Sequence, residues 1–259
     1  MSVLKTVTGK RPKLIGTDLD GTIVAHYGFI SERTKIAFTA AHKAGIHMYF
    51  VTGRPIRWMV EIKENFGFGT GICANGALLY DFNNEKVLEE WLFPVDAQLE
   101  TVKRLRDVIP GVSFAIEVGK EFHREKKYVP RWDVGEDNVG VEEIEEILTK
   151  PSLKMLARCA NGEYSSDEML EIATKELQGI ASPTHSNISD SLLEISADGV
   201  SKGATLSKIA ARHGLTGEDC VTFGDNPNDF SMLSWASRSW AMEDGHPDLM
   251  KYAKFQTDA

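Results

Sequence analysis

The sequence of 259 residues is poor in cysteine and has no long apolar run. Its three cysteines, Cys73, Cys159 and Cys220, are scattered and match no metal-ligand spacing. An odd number of isolated cysteines is typical of reduced thiols, so we expect a cytoplasmic protein without a disulfide framework. No stretch approaches the ~20 apolar residues of a membrane span, and no apolar segment follows the basic N-terminus. We therefore expect neither a membrane anchor nor a signal peptide.

The chain also lacks an excess of positive charge. The 29 Lys and Arg residues face 38 Asp and Glu residues, which gives a formal net charge of −9. This balance argues against nucleic acid or an anionic membrane as a partner, but a locally positive pocket could still bind a small anionic substrate. With 42% hydrophobic and 26% charged residues, the composition is that of a globular protein with a sizeable core.

Strand and helix patterns alternate in the first third of the chain. Three segments have the apolar character of buried strands: LIGT, IHMYFV and GICAN. Two segments between them are typical of helices: ERTKIAFTAAHKAG, which Ser31 could cap, and IRWMVEIKENF, where Pro55 suits the first helical position. The segment ALLYDFNNEKVLEEW follows and has the Asn-Asn turn of a hairpin.

The same alternation returns in the last quarter. A helix in SKGATLSKIAARHG is followed by a strand in CVTF, the polar loop GDNPND and a helix in FSMLSWAS. Alternating strands and helices predict an α/β fold with a doubly wound parallel sheet.

The pattern changes between residues 87 and 196. The predicted elements there are a helix at 97–108, a strand at 112–118, a further strand, an acidic helix at 141–148, a strand at 153–159, a helix at 167–177 and two strands, the second at 192–196. This order is typical of an α+β domain. We therefore predict a discontinuous core of residues 1–86 and 197–259, with an inserted α+β cap domain of residues 87–196.

Four polar clusters lie where the predicted strands end or helices begin. They are Asp18 with Asp20, Thr52-Gly53-Arg54, Ser201-Lys202-Gly203 and the loop at 224–229. Ligands of doubly wound sheets bind beyond the carboxyl ends of the strands. A site built from these clusters would hold a divalent cation, usually Mg²⁺, among carboxylates, and an oxyanion among a hydroxyl, helix N-termini and a lysine. The metal and the lysine would supply the positive charge that two adjacent carboxylates need.

The four clusters resemble the motifs of a known family. DLDGT, TGR, VSKG and FGDNPNDFSML are similar to the four motifs of the haloacid dehalogenase-like phosphatases. The position of the insert resembles the Cof-type branch, subfamily IIB, which has a mixed α/β cap. The cap of this chain matches that branch only in position, length and element order. The resemblance implies a Rossmann-like core and a Mg²⁺-dependent phosphatase that hydrolyses a small phosphorylated metabolite, such as a sugar phosphate, through an aspartyl-phosphate.

The resemblance also implies roles in the chemistry. Asp18 would be the nucleophile that attacks phosphorus. Asp20 would be the general acid that protonates the leaving oxygen and then the base that activates water. Thr52, the Gly53 amide and Lys202 would hold the phosphoryl oxygens.

The metal ligands implied in the same way are the Asp18 carboxylate, the Asp20 backbone carbonyl and the Asp225 carboxylate, with Asp229 in support. Asn228 would touch the phosphate or orient Lys202. The Asn226-Pro227 pair departs from the pattern of many relatives, and the role of Asn226 stays open.

Several other residues have two interpretations. Arg54 could bind substrate or merely belong to the first helical turn. Four residues of the insert could line a substrate pocket, although exposed or core positions are the favoured interpretation: His123, Arg124, Trp132 and His185. The run EVGKEFHREKK is interpreted as a solvated strand face.

Two alternative functions follow from the same motifs. One is a phosphomutase or phosphotransferase, in which a hydroxyl group replaces water as the acceptor. The other is a regulator that binds a phosphorylated metabolite without turnover, but pure binding would not need Asp20. The protein would be a monomer or a homodimer, and the substrate would be selected by the cap.

Overall fold

Two β-sheets organise the fold in the computed structural model, which describes residues 10–25, 28–159 and 162–257. The larger sheet has eight strands and the smaller sheet has five. In chain order the strands are β1 (Leu14–Thr17), β2 (His47–Val51), β3 (Thr70–Cys73), β4 (Leu78–Asp81), β5 (Lys86–Glu90), β6 (Val112–Val118), β7 (Glu121–Arg124), β8 (Lys154–Cys159), β9 (Ala181–Thr184), β10 (Leu192–Ala197), β11 (Cys220–Gly224), β12 (Arg238–Ala241) and β13 (Phe255–Gln256).

The helices pack between and beside these strands. In chain order they are α1 (Glu32–Lys43), α2 (Val60–Phe66), α3 (Val95–Val108), α4 (Ser166–Glu176), α5 (Lys202–Arg212) and α6 (Phe230–Trp235). Ser31 caps α1 as predicted, because its side chain accepts a hydrogen bond from the Thr34 amide. Among the residues that the structure describes, no helix combines the length and the apolar character that crossing a membrane requires.

The larger sheet has the order β13-β12-β11-β1-β2-β3-β4-β5. The strands from β13 to β3 are parallel, and β4 and β5 join antiparallel at one edge. Leu14 of β1 is in register with Cys220 on one side and with His47 on the other. The carboxyl ends of β11, β1 and β2 therefore lie side by side. This confirms the predicted α/β fold and places three of the four polar clusters at one edge.

The smaller sheet is antiparallel and has the order β7-β6-β8-β10-β9. Its strands come from the segment between Val112 and Ala197. One apolar cluster contains buried residues of both sheets, among them Phe50 of β2 and Phe114 of β6. The two sheets therefore share buried surface.

The predicted boundaries of the insert cut through two strands. The boundary at 86/87 falls inside β5, which pairs with β4 in the larger sheet. The boundary at 196/197 falls inside β10, whose Ala197 pairs with Ala181 of β9. The core strands thus extend to Glu90 and the smaller sheet extends to Ala197. The division into a core domain and a cap domain stays a prediction, with these limits.

Two predicted helices are wrong in extent. Pro55 precedes a single 3₁₀ turn at Ile56–Trp58, and α2 begins only at Val60. The Trp58 carbonyl accepts a hydrogen bond from the Arg54 guanidinium (3.3 Å), which competes with a continuous helical ladder.

The acidic segment 141–148 forms only a 3₁₀ turn at Ile144–Glu146. Its Glu143 and Glu145 form ion pairs with Arg106 of α3, and the Ile144 amide donates to the buried carboxylate of Glu125 (3.0 Å). These tertiary contacts fix the backbone more strongly than the helical pattern does. The interpretation of the run EVGKEFHREKK as a solvated strand face is also corrected, because its Glu117 and Glu125 are buried.

Candidate active site

Lys202 is the positive centre of the site. It is the first residue of α5, and its fully buried Nζ atom donates to Asp18 Oδ1 (2.6 Å) and to Asp229 Oδ1 (2.7 Å). The Ser201 hydroxyl caps this helix by accepting from the Ala204 amide (3.1 Å). The helix start therefore holds the lysine at the carboxyl end of β1, between two carboxylates.

Asp225 and Asp229 are held by the loop that follows β11. The backbone amides of Asp225 and Asn226 donate to Asp229 Oδ2, at 3.0 and 3.2 Å. The Asn226 side-chain amide donates to Asp225 Oδ2 at 2.6 Å. Asn226, whose role the sequence leaves open, thus orients the Asp225 carboxylate.

Three carboxylates form a buried carboxylate cluster: Asp18, Asp225 and Asp229. One oxygen from each lies within 4.8 Å of the others. Burial raises the pKa of Asp18 to about 7. Burial and the repulsion of Asp18 and Asp229 raise the pKa of Asp225 to about 10. Lys202 supplies only one positive charge, so the cluster favours the binding of a further cation.

The donors of the carboxylate cluster fit a small, hard divalent cation, because all of them are oxygen atoms. The backbone next to Asp20 also approaches the cluster closely. Gly21 has a φ of +81°, and a Cβ atom there would lie 2.2 Å from Asp225 Oδ2. Only glycine permits this approach at that conformation.

Asp20 has its own partner, Arg54. The Arg54 Nε atom donates to Asp20 Oδ2 (2.8 Å), and its Nη1 atom lies 3.2 Å from Glu61 Oε2. The Asp20 side chain is 58% exposed and, like Arg54, lines the pocket described below. The guanidinium is thus engaged with two carboxylates, and its clearest role in this geometry is to position Asp20.

The Thr52-Gly53 loop closes one side of the site. The buried Thr52 hydroxyl accepts from the Arg54 amide (3.0 Å). A Cβ atom on Gly53 would lie 3.1 Å from both Asn75 Oδ1 and Glu194 Oε2, so the backbone passes close to both side chains. The Gly53 carbonyl accepts from Lys154 Nζ of β8 (2.8 Å). The smaller sheet is therefore in direct contact with this loop.

Asn228 lies beside Asn75, which the sequence analysis did not assign to the site. The Asn228 Nδ2 atom donates to Asn75 Oδ1 (3.2 Å), and Asn75 donates to Glu194 Oε2 (3.0 Å). Asn75 adopts the left-handed conformation (φ +56°), next to a glycine in the sequence ANG. An Asn-Gly pair in the sequence favours a turn with this conformation, and this pair is the feature that could have identified Asn75. The Asn228 Oδ1 atom is buried without a hydrogen-bond partner among the described residues.

A pocket of about 290 Å³ opens between the two sheets above these residues. Trp132 lines it, whereas His185 is buried and paired with Asp167 (2.7 Å). Six charged pocket residues of the insert were not predicted: Glu117, Arg131, Lys154, Arg158, Asp190 and Glu194. Lys154, Arg158 and Glu194 interrupt the apolar strands LKMLARC and LLEIS. Charged residues inside buried strands are the feature that could have indicated them.

Comparison with known proteins places the chain among phosphatases. A family model described as haloacid dehalogenase-like hydrolase matches residues 15–259. The 5-amino-6-(5-phospho-D-ribitylamino)uracil phosphatase YcsE of Bacillus subtilis is 26% identical over 95% of this chain and 90% of its own length. The pyridoxal phosphate phosphatase YbhA of Escherichia coli is 26% identical over 89% of this chain and 87% of its own length.

A solved structure gives the same fold. The sugar phosphatase BT4131, of haloacid dehalogenase subclass IIB, superposes with a TM-score of 0.74 at 23% identity, over 95% of this chain and 93% of that one. The chain therefore belongs to the haloacid dehalogenase-like hydrolase family and has the subclass IIB fold. Within that family it is a phosphoric monoester hydrolase.

Proposed function

We propose that the protein is a Mg²⁺-dependent phosphatase that hydrolyses a small phosphorylated metabolite through an aspartyl-phosphate on Asp18. One observation carries this proposal: Lys202 bridges Asp18 and Asp229 beside Asp225, while Asp20 stands at the mouth of the same pocket. A binding protein would need neither a buried carboxylate that faces the pocket nor a second, exposed carboxylate two residues away.

Asp18, Asp225 and the Asp20 backbone carbonyl would hold the Mg²⁺ ion, with Asp229 in support. The bound ion would neutralise the cluster and the charge that develops on the phosphoryl oxygens. The Asp229 carboxylate accepts hydrogen bonds from two backbone amides and from the Lys202 ammonium, so it stabilises the loop that carries Asp225.

Asp18 is the nucleophile of the first step. A carboxylate oxygen of Asp18 attacks phosphorus, and the bond from phosphorus to the leaving oxygen breaks. Burial raises the pKa of Asp18 to about 7. The positive charge of Lys202, 2.6 Å away, acts in the opposite direction and favours the ionised form that can attack. Lys202 and Thr52 would hold the phosphoryl oxygens.

Asp20 completes both steps. Its carboxyl proton goes to the leaving oxygen, so that an alcohol departs instead of an alkoxide. The resulting carboxylate then takes a proton from water as the water oxygen attacks phosphorus of the aspartyl-phosphate. Inorganic phosphate leaves, Asp18 is again a carboxylate and Asp20 is again protonated.

The pocket supports a small substrate. Its volume of about 290 Å³ suits a metabolite, and the curated relatives are named for phosphorylated derivatives of ribitylaminouracil and of pyridoxal. Sugar phosphates are the first class to test.

The test combines phosphate release with trapping of the intermediate. Wild-type protein should release phosphate from sugar, flavin, pyridoxal and polyol phosphates with Mg²⁺ and not in excess chelator. Acid quenching should trap labelled phosphate on wild-type protein and not on Asp18→Asn, whereas Asp107→Asn on the exposed face of α3 should behave as wild type. Full activity in chelator would refute the metal assignment, and isomerised substrate without free phosphate would indicate a phosphomutase.

A further inference from the structure

Arg158 is a pocket residue that the proposed chemistry does not use. It lies on β8 with Lys154 and Leu156, and all three line the pocket. Alternate residues of a strand point to the same face, so this row runs along the pocket wall. Lys154 touches the Gly53 carbonyl near the carboxylate cluster. Arg158 lies at the other end of the row, four residues and about 13 Å along the strand from Lys154.

The other charged residues of the pocket wall are already paired with an opposite charge in the described structure. The pairs are Arg54 with Asp20, Arg57 with Glu117, Arg131 with Asp190, Lys154 with Glu194 and Lys202 with Asp18. Asp225 belongs to the carboxylate cluster that favours a cation.

Arg158 lacks such a partner. Its side chain is only 4% exposed, and its buried Nε atom has no hydrogen-bond partner among the described residues. No carboxylate of the described residues forms an ion pair with it, by contrast with Arg131 on the same wall, which lies 2.6 Å from Asp190. A buried guanidinium without a countercharge is costly. The described residues therefore lack the anionic group that would compensate the charge of Arg158, and a bound ligand would supply it.

Tyr128 fixes the guanidinium without neutralising it. The Arg158 guanidinium carbon lies 5.5 Å from the centroid of the Tyr128 ring, which is fully buried. Burial raises the pKa of the Tyr128 hydroxyl to about 12, so the phenol is neutral. The arginine is thus oriented by an aromatic face that supplies no countercharge.

We propose that Arg158 binds a second acidic group, a carboxylate or a phosphate, at the end of the substrate remote from the transferred phosphoryl group. This inference rests on the proposed function, because the phosphoryl end is assigned to Asp18 and Lys202. Between the two ends the wall carries, beside its paired charges, three apolar side chains: Leu156, Leu192 and the Trp132 ring, which packs edge-on against Trp58 at 5.2 Å. The substrate class is therefore a phosphate monoester with an apolar or flat middle part and a distal acid.

The first experiment uses wild-type protein and matched esters. A series of alkyl phosphates of increasing chain length carries a terminal carboxylate in one member of each pair and a terminal carboxamide in the other. We expect kcat/KM for the best carboxylate ester to exceed that of its carboxamide by at least about tenfold, since a hydrogen bond between charged groups is strong in a buried site. Equal values for every pair would overturn the inference without touching the proposed phosphatase activity.

Two substitutions of Arg158 test the residue itself. Arg158→Met should bring the carboxylate-to-carboxamide ratio close to one. Arg131→Met, which removes a paired arginine from the same wall, should leave the ratio as in wild type. Arg158→Glu should reverse the preference, towards an ester with a terminal ammonium group. A reversal cannot come from misfolding, and an unchanged ratio in both Arg158 variants would exclude the residue.

A binding measurement separates this inference from the proposed function. Non-hydrolysable phosphonates with a carboxylate or a carboxamide tail are titrated calorimetrically into wild type and Arg158→Met with Mg²⁺. Tighter binding of the carboxylate tail by wild type alone supports the inference even if no ester in the panel is hydrolysed, in which case only the proposed function fails. Equal affinities for the two tails overturn the inference even if hydrolysis is fast.

Discussion

The Nζ atom of Lys202 lies 2.6 Å from Oδ1 of Asp18, and neither side chain has appreciable contact with solvent. The two residues are 184 positions apart, and α5 brings the lysine to the end of β1. The pair is thus the contact through which the late part of the chain completes the site begun by the first strand.

Substitution of Lys202 should damage both stability and activity. Lys202→Met leaves Asp18 and Asp229 buried without their cation, and removal of one partner of a buried ion pair costs about 3–5 kcal/mol. Lys208→Met, on the exposed face of the same helix, should lower the free energy of unfolding by less than about 1 kcal/mol. Urea unfolding in chelator and phosphate release with Mg²⁺ measure the two effects. Wild-type stability in Lys202→Met would contradict the role of the lysine.

The metal-free protein should lose stability as the pH rises. The folded-state pKa values of Asp18 and Asp225, about 7 and about 10, lie above the ordinary value of 3.8. The folded state therefore binds more protons than the unfolded state above about pH 4, and the contribution of these groups is lost as the pH rises towards those values. Thermal unfolding in chelator should show Tm falling between pH 5 and pH 8 more steeply than it does with Mg²⁺.

Mg²⁺ should correspondingly raise Tm more at pH 8 than at pH 5, because it replaces protons that the cluster has lost. Asp225→Asn is the matched variant, since it replaces one carboxylate of the cluster by an uncharged amide of similar size. We expect it to show both a shallower pH slope in chelator and a smaller Mg²⁺ effect. The same slope with and without Mg²⁺ in wild type would count against a cation at this cluster.

The positions that sequence could predict are those fixed by the ends of parallel strands. Asp18, Thr52 and Asp225 each follow a strand of the larger sheet, so the alternating pattern alone brings them to one edge. The pairing of Asp20 with Arg54 was not predictable, because it depends on how the loops after β1 and β2 turn. The unpredicted strands β12 and β13 are short and carry a weak pattern.

The charged residues on the cap side of the pocket could not be predicted from the sequence for a different reason. Glu194 of β10 is in register with Leu156, so it meets Lys154 across the diagonal of an antiparallel pair. A shift of one residue would turn each of these side chains to the other face. Local patterns in short strands do not fix that register, and so the paired and unpaired charges of the pocket become visible only in the folded protein.

The ion pair between Arg57 and Glu117 should help to hold the smaller sheet over the site. Arg57, in the loop after β2, makes two hydrogen bonds to the Glu117 carboxylate of β6, at 2.6 and 2.9 Å. The Glu117 side chain is 2% exposed, so Arg57→Met leaves a buried carboxylate uncompensated while the sheets are in contact. We expect kcat/KM for metabolite esters to fall about tenfold or more. Proteolysis near Glu90 and Ala197, where the chain passes between the two sheets, should accelerate.

The double variant Arg57→Met/Glu117→Gln provides the control for that prediction. It removes the uncompensated charge, so it should recover part of the lost kcat/KM and part of the protease resistance. Additive losses in the double variant would show that the two residues act independently and that the pair does not hold the sheets together.

The role of Asp20 decides whether the protein is a phosphatase of the proposed mechanism. A sugar phosphate leaves as a poor alkoxide unless its oxygen is protonated, and a positioned general acid is worth about 10²–10⁴-fold. A nitrophenyl phosphate leaves as a stable phenolate and needs the proton far less. Asp20→Asn keeps the backbone carbonyl proposed to face Mg²⁺, so it should lose formation of the phosphoenzyme severely with sugar phosphates and mildly with the aryl ester.

The same variant should also accumulate phosphoenzyme, because no carboxylate remains at this position to take a proton from the attacking water. Burst-phase kinetics on both ester types, with acid-quench trapping of labelled phosphate, follow the two steps separately. Asp18→Asn is the reference, since loss of the nucleophile should abolish turnover of both esters and leave nothing to trap. Arg54→Met, which frees Asp20 from the guanidinium 2.8 Å away, should retain the trapped intermediate and lose rate chiefly with sugar phosphates. Equal losses on the two esters in Asp20→Asn, without trapped phosphate, would mean that another group moves the proton.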